Sequence, residues 1–189
     1  MEFKETETMA IPLINSQQPE SIKMSDTEVS KTTEPTILDS GNRTQFESGA
    51  VRDMRAGKGR FDVMPLEVIR DYLEDSVIGY ITNFMQTGDT SELYHALDEF
   101  APEFGGGTTM LLETAIHFEQ GAVKYGPDNW RKSIPVWCYI DSAIRHYIKY
   151  RRGDKEERHD RAFCWNVMCC IWEVAHGDEW RAAQKVREE

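Results

Sequence analysis

Basic residues are in the minority in this chain of 189 residues, which carries 22 lysines and arginines against 33 aspartates and glutamates. The formal net charge of −11 argues against a binder of nucleic-acid polymers, because such proteins neutralise phosphates with lysine and arginine side chains. A small anion held by a local basic cluster, or by a metal ion, is compatible with this charge balance.

Long apolar runs and paired cysteines are also missing. No stretch approaches the roughly 20 apolar residues that cross a membrane, and the first residues, MEFKETETMA, lack the basic and apolar regions of a signal peptide. The four cysteines form no C-x-x-C pair of the kind that binds zinc or cycles as a disulfide. The sequence therefore predicts a cytoplasmic protein without membrane contact, whose cysteines are reduced core residues.

The composition changes near residue 46. Residues 1–45 are dominated by polar and acidic side chains and bury too little apolar surface to fold alone, so they are predicted to be a flexible acidic and polar tail. Residues 46–185 are predicted to form one domain. Its first segment, FESGAVRDMRAGKGR at 46–60, is rich in glycine and arginine and is the densest basic patch of the chain.

Apolar residues recur every three or four positions through most of this domain. After Pro65 this period predicts a helix over about 66–86, and the whole stretch 66–108 is predicted to be a helical insert. Three further helices are predicted over about 109–125, from Pro135 to just before Gly153, and over about 155–176. No alternating β-branched run is present, so the fold class is predicted to be an all-α bundle.

Carboxylates stand in the apolar rows of these last three helices. Glu119 shares a row with Leu112, Asp141 interrupts the row of the next helix, and Asp160 begins the row of the last. Glu157 lies one turn before Asp160. Inward carboxylates need a counter-charge, because an unpaired buried charge is unfavourable. Clustered oxygen ligands without cysteine or a histidine pair favour a hard ion such as Mg²⁺ or Mn²⁺, which phosphate oxygens complete.

Each of these carboxylates also has a purely structural interpretation. Asp154 and Glu157 match a capping box at the start of the last helix. The other candidate pairs are Asp141 with Arg145, Asp160 with His159 or Arg161, and Glu119 with Lys124. The dipeptide His159-Asp160 superficially resembles the His-Asp phosphohydrolase signature, which needs further histidines that only His117 and His146 supply.

Four blocks of sequence are similar to a known family. They are FESGAVRDMRAGKGRFDVMP at 46–65, HFEQGAVKYGPDNWRK at 117–132, DSAIRHYIKYRRGD at 141–154 and HDRAFCWN at 159–166. In order and spacing they resemble the N-terminal domain of phage dATP/dGTP diphosphohydrolases, which are related to MazG-like all-α nucleotide pyrophosphohydrolases. The G-A-x-K-Y-G-x-x-N-W segment is the most specific part of the resemblance.

The resemblance implies a MazG-like helical bundle that hydrolyses purine deoxynucleoside triphosphates, dGTP or dATP, to the monophosphate and pyrophosphate. It places the chain in phage nucleotide metabolism in the host cytoplasm, with Mg²⁺ as cofactor and a dimer or tetramer as the assembly. The MazG-like pattern is E-x-x-E on one helix and E-x-x-D on the next, and the segment 157–160 satisfies its second half. The first half is not met literally, because the preceding helix offers only Asp141.

We therefore predict Asp141, Glu157 and Asp160 as catalytic residues that, together with Glu119, bind one to three Mg²⁺ ions. The predicted substrate-binding residues are Lys58, Arg60, Lys124, Arg145 and His146 for the phosphates and their surroundings, and Tyr125, Asn129 and Trp130 for the base. A binder that sequesters a nucleotide without hydrolysing it is the alternative, and a structural phage protein is a third. Several inward carboxylates disfavour a mere binder, because they repel phosphate unless a metal is present.

Overall fold

Six helices and a short hairpin make up the part of the chain that the computed structural model describes, residues 37–38 and 41–176. In chain order they are β1 (Arg43–Gln45), β2 (Val51–Asp53), α1 (Leu66–Leu73), α2 (Ser76–Thr87), α3 (Ser91–Phe100), α4 (Gly107–Tyr125), α5 (Val136–Arg152) and α6 (His159–His176). Short 3₁₀ turns lie at Phe61–Val63, Ala101–Phe104 and Asn129–Arg131. The predicted all-α class with a helical insert is confirmed.

The hairpin precedes the helices and was not predicted. β1 pairs antiparallel with β2, with Arg43 opposite Asp53. Gly49 supplies the left-handed conformation that the tight turn between the strands requires, with φ of 80°. Strands of three residues are too short to show an alternating pattern, so the sequence carries no signal for them. β1 consists of the last three residues of the predicted tail, whereas residues 1–36 lie outside the described range.

The prediction of one helix over about 66–86 is wrong, because the chain breaks there into α1 and α2. Glu74 closes α1 in the left-handed conformation, with φ of 50°. Asp75 then caps α2, and its side chain accepts a hydrogen bond from the Ile78 backbone N–H at 3.1 Å. The apolar period continues across the break, which is why periodicity alone gives one helix.

The ends of α4 and α5 follow their glycine signals. Gly126 ends α4 and Gly153 ends α5, both at positive φ, as predicted. The last helix begins at His159 and not near residue 155. The Asp154 carboxylate accepts a hydrogen bond from Arg152 Nε at 2.7 Å instead of capping the helix. The capping box proposed for Asp154 therefore does not form.

The core lies between α5 and α6 and extends to α2 and α3. Ile140 and Ile144 of α5 and Phe163 of α6 are fully buried. Phe100 of α3 makes an edge contact with the Phe163 ring, with ring centroids 4.7 Å apart. All four cysteines are buried and free, as predicted: Cys138, Cys164, Cys169 and Cys170. The packed helices α5 and α6 support the candidate site.

The outer face of α4 carries apolar side chains. Leu111, Leu112 and Val123 are exposed, whereas the buried face of the helix carries Met110, Thr114 and His117. The prediction that the row containing Leu112 faces the bundle interior is therefore wrong within this chain. Both faces of α4 carry apolar residues, so the period alone does not identify the inward one. No helix among the described residues is long and apolar enough to cross a membrane.

Candidate active site

A cavity of about 670 Å³ opens between the β-hairpin, the loop that follows it, and helices α4, α5 and α6. Its size is that of a typical small-molecule site. The charged residues that line it are Arg52, Asp53, Arg55, Lys58, Asp141, Arg145, Lys149 and Glu157. Five of these eight are cationic, so this cavity concentrates positive charge in a chain whose net charge is −11.

Asp141 lies on α5 at the wall of this cavity and is fully buried. Its carboxylate accepts hydrogen bonds from the Phe61 backbone N–H at 2.8 Å and from Arg55 Nε at 3.1 Å. Arg145, one turn further along α5, also pairs with it. Asp141 thus faces inward as predicted, but two guanidinium groups already compensate its charge. It also attaches the basic loop, residues 54–60 between β2 and the 3₁₀ turn at Phe61–Val63, to α5.

Asp53, at the end of β2, organises the opposite wall. It accepts hydrogen bonds from Lys124 Nζ and from Tyr125 Oη, both at 2.9 Å, and it pairs with Arg43 at 3.0 Å. Burial by itself raises the pKa of Asp53, but the hydrogen bonds from Lys124 and Tyr125 outweigh it and lower the pKa below the usual value. Lys58 Nζ lies 3.9 Å from this carboxylate, and burial lowers the pKa of that ammonium group.

Arg52 crosses the floor of the cavity. Its Nη2 donates to Ser142 Oγ at 3.1 Å and to Asn166 Oδ1 at 2.9 Å, and its guanidinium lies over the Tyr139 ring at 4.9 Å from the centroid. Its other terminal nitrogen, Nη1, is buried and has no hydrogen-bond partner among the described residues. A buried guanidinium N–H that lines a cavity is a donor available to an anionic ligand.

Glu157 and His146 line the cavity, and the buried His159, which does not line it, lies next to His146. Nδ1 of His146 lies 3.0 Å from Nδ1 of His159, and one ligand atom from each of the three side chains lies within 4.8 Å of the others. Burial raises the pKa of Glu157 and lowers the pKa values of both histidines. Both imidazoles are therefore neutral at pH 7.

The four predicted metal ligands are not brought together. Asp141 and Glu157 line the cavity, whereas Asp160 and Glu119 do not. Asp160 is paired with Arg158, whose Nη2 donates to it at 2.7 Å, and Glu119 is exposed on α4. Glu157 lies in the turn before α6 and not on the helix itself, so it does not lie one helical turn before Asp160.

The predicted substrate-binding residues divide in the same way. Those that line the cavity are Lys58, Tyr125, Asn129, Arg145 and His146, whereas Arg60, Lys124 and Trp130 do not. Arg60 is engaged by Asp62, with Nη2 at 2.7 Å from the carboxylate. Trp130 packs edge-on against Trp172 at 5.1 Å between centroids and contributes to the core. Asn129 is 5 % exposed and binds the β2 backbone.

Several cavity residues were missed by the sequence analysis. Arg52, Asp53, Ser142 and Asn166 were not selected, although Arg52 stands in the basic segment that was noticed. Their roles depend on contacts between residues that are 90 or 114 positions apart, such as Arg52 with Ser142 and with Asn166. His146 was selected only for substrate binding, and its contact with His159 was missed because the two residues lie on different helices. Pairing the two predicted helices as an antiparallel hairpin would have brought His146 close to His159.

The carboxy-terminal helices match a known family. Residues 107–183 match the family described as dATP/dGTP diphosphohydrolase, N-terminal, and this confirms the resemblance seen in the sequence. The match makes a hydrolase of nucleotides the class of enzyme to which this part of the chain is similar. It covers the cavity residues of α4, α5 and α6, but not the hairpin and the basic loop. No curated protein and no solved structure matches the chain.

Proposed function

We propose that this chain, which carries the dATP/dGTP diphosphohydrolase match over residues 107–183, hydrolyses purine deoxynucleoside triphosphates to the monophosphate and pyrophosphate. The observation that supports the proposal best is the cavity itself. Cations from the hairpin and the basic loop face a carboxylate from the α5–α6 turn across a space large enough for a nucleotide. In phage nucleotide metabolism this activity would set the supply of purine deoxynucleotides.

The phosphate chain is best accommodated along Arg52 and Lys58. Arg52 presents a buried N–H that has no partner among the described residues, and the carboxylate described nearest to Lys58 Nζ lies 3.9 Å away. A guanidinium offers fixed donors to phosphate oxygens, and an ammonium group acts as a point charge. Arg55 and Arg145 are engaged with Asp141 and hold the cavity wall in place instead.

The base is best accommodated against the aromatic side chains that line the cavity. Tyr125 was predicted for this role, and Trp137 takes the place of Trp130, which lies in the core. Trp137 is 41 % exposed, and the Arg55 guanidinium covers one side of its ring at 4.2 Å from the centroid. A flat purine has more surface for stacking on such a ring than a pyrimidine has, which favours dGTP and dATP.

The residues present fit a divalent cation next to the phosphates. Glu157 lines the cavity, burial raises its pKa, and no side chain among the described residues bonds to its carboxylate. Such a carboxylate is expected to have a cation as its partner. When bound, Mg²⁺ would neutralise phosphate charge and polarise a water molecule. Glu157 would hold the ion, and it is also the carboxylate best placed to accept a proton from that water.

The proposal is tested by incubating the full chain with each of the eight common ribo- and deoxynucleoside triphosphates in Mg²⁺ and separating the products by anion-exchange chromatography. We expect monophosphate and pyrophosphate from dGTP and dATP. Lys58→Gln should lower kcat/KM by about tenfold or more, because it removes one cation that faces the phosphates. Lys132→Gln, at an exposed position outside the cavity, is the matched control and should retain the wild-type value.

Two outcomes would overturn the proposal. Tight binding of dGTP without release of pyrophosphate would establish the sequestering protein that was the alternative. Equal turnover in Lys58→Gln and Lys132→Gln would show that the cavity is not where the triphosphate reacts.

A further inference from the structure

His146, which lines the cavity, and the neighbouring His159 are arranged as metal ligands are. Their Nδ1 atoms lie 3.0 Å apart, with ring centroids 5.2 Å apart and ring planes inclined by 40°. Metal–nitrogen bonds of about 2.0–2.1 Å place two ligand atoms about 2.9–3.4 Å apart, from right-angled to tetrahedral coordination. The observed separation of the two nitrogen atoms falls in this range.

The surroundings of His159 select the tautomer that a metal needs. Nε2 of this ring lies 3.1 Å from a carboxylate oxygen of Glu156, in electrostatic contact without hydrogen-bond alignment. A carboxylate only accepts, so it favours the tautomer with the proton on Nε2. The lone pair of His159 Nδ1 then faces His146. Metal-bound histidines have this arrangement, in which a carboxylate next to the second nitrogen orients the ring.

Glu157 completes the group with an oxygen ligand. One of its carboxylate oxygens lies within 4.8 Å of the ligand atoms of both histidines. A second grouping of Asp154, Glu156 and His159 is also compact, but Asp154 is paired with Arg152 and Glu156 with Lys149. The carboxylate of Glu157 has no such cation within bonding distance among residues 41–176.

We propose that His146, Glu157 and His159 bind a divalent transition-metal ion, such as Mn²⁺, Co²⁺ or Zn²⁺, at the end of the cavity. Two imidazole nitrogens and one carboxylate oxygen suit such ions better than Mg²⁺, which prefers oxygen ligands. Because His146 and Glu157 line the cavity, we expect water or a phosphate oxygen to reach the remaining coordination positions from it. This metal site extends the proposed function. Only the phosphate ligand that completes the coordination rests on that function.

Calorimetry with metal alone tests the site without nucleotide. The full chain, free of any polyhistidine tag and stripped with a chelator, is titrated with CoCl₂ and separately with MgCl₂. We expect one Co²⁺ per chain, bound at least about tenfold more tightly than Mg²⁺. Visible absorption of bound Co²⁺ provides an independent reading of nitrogen coordination.

Three variants locate the ion. His159→Gln and Glu157→Gln should each weaken Co²⁺ binding by about tenfold or more, and the second keeps the buried histidine pair intact in case the first does not fold. His95→Gln removes an exposed histidine of α3 and is the matched control, with wild-type affinity expected. Circular dichroism establishes that each variant is folded.

The outcomes for the metal site and for the proposed function are separable. Absence of saturable Co²⁺ binding in the wild-type chain, or wild-type affinity in folded Glu157→Gln and His159→Gln, overturns the metal site. Pyrophosphate release in Mg²⁺ by a chain that does not bind Co²⁺ would leave the proposed function standing alone. Co²⁺ binding by a chain that hydrolyses no triphosphate would support the site and overturn the function.

Discussion

The side-chain amide of Asn129 bonds to the β2 backbone as a neighbouring strand would. Its Oδ1 accepts the Val51 backbone N–H at 2.9 Å, and its Nδ2 donates to the Val51 carbonyl at 2.8 Å. An amide is the one kind of side chain that offers a donor and an acceptor in this arrangement. Asn129 therefore holds β2, and with it Arg52 and Asp53, against the helices. Asn129 also lines the cavity, and its predicted contact with the base stays a prediction.

His117 lies on α4 at the edge of the cavity and is 6 % exposed. Burial, followed by the charge of Arg161, lowers its pKa from 6.5 to about 4. The unfolded chain therefore binds a proton between pH 6.5 and pH 4 that the folded chain does not bind. The contribution of neutral His117 to stability is present above pH 6.5 and is lost as the pH falls through this window.

Replacing His117 by Gln should flatten the fall in stability on acidification. Urea unfolding at several pH values between 6.5 and 4 should give a free energy of unfolding that falls less steeply than in the wild type, by up to about 1.4 kcal/mol per pH unit. His95→Gln, at an exposed histidine, should retain the wild-type slope. Equal slopes in wild type and His117→Gln would contradict the buried neutral state.

At the scale of helices, Asp75 joins the insert to the body of the bundle. It caps α2 through the Ile78 N–H at 3.1 Å. The same carboxylate accepts from Tyr147 Oη at 2.7 Å and from Arg151 Nη1 at 2.7 Å, and both of these residues lie on α5. One side chain therefore caps α2 directly after the break from α1. The same side chain connects the start of α2 to α5, the helix that carries Asp141.

Asp75→Ala should lower the free energy of unfolding by about 2–4 kcal/mol. Loss of the cap accounts for about 1 kcal/mol, and a buried Tyr147 hydroxyl without its acceptor adds about 1–3 kcal/mol. Asp98→Ala, at an exposed position of α3, should change it by less than about 0.5 kcal/mol. Urea unfolding of both variants checks this, and similar small changes in both would contradict the role of Asp75 as a link.

Local signals predicted the helices well because they act over one or two turns. Gly126 and Gly153 marked the ends of α4 and α5, and the row through Asp141 correctly placed that acid inside. The row through Glu119 failed, because α4 is apolar on both faces and only the packing against α6 selects the buried one. Periodicity predicts that a helix has an apolar face, but tertiary contacts decide which face of the helix is buried.

Prediction of the site was limited in a different way. The sequence analysis predicted Lys58, Tyr125 and Arg145 as substrate-binding residues; all three line the cavity, and their role stays a prediction. It could not show that Asp141 is compensated by Arg55, because that pair joins residues 86 positions apart. The sequence also could not show that His146 contacts His159. Charge compensation is a property of the folded arrangement, so the ligand set could not be obtained from residue types in single helices.

At the scale of the whole molecule, the start of the folded region can be located by truncation. Lys124 Nζ donates to the Leu38 carbonyl, and β1 pairs with β2, so Leu38 and the residues of β1 contact the domain. Deleting residues 1–36 should change Tm by less than about 2 °C and leave turnover unchanged, because the composition of this segment offers little to a core.

Deleting residues 1–45 is the comparison. It also removes β1 and the ion pair of Arg43 with Asp53, and it should lower Tm by about 5 °C or more. Thermal unfolding followed by circular dichroism compares the two deletions with the full chain. A large loss of Tm on removing residues 1–36 would contradict the predicted tail.

The attachment of the hairpin to distant helices also sets an order of assembly. β2 is synthesised early, but its partners come 78 residues later at Asn129 and 114 residues later at Asn166. Closing such long loops is slow compared with helix formation. During translation β2 and Arg52 therefore make these contacts only after Asn166 of α6 has been synthesised, and the cavity forms late.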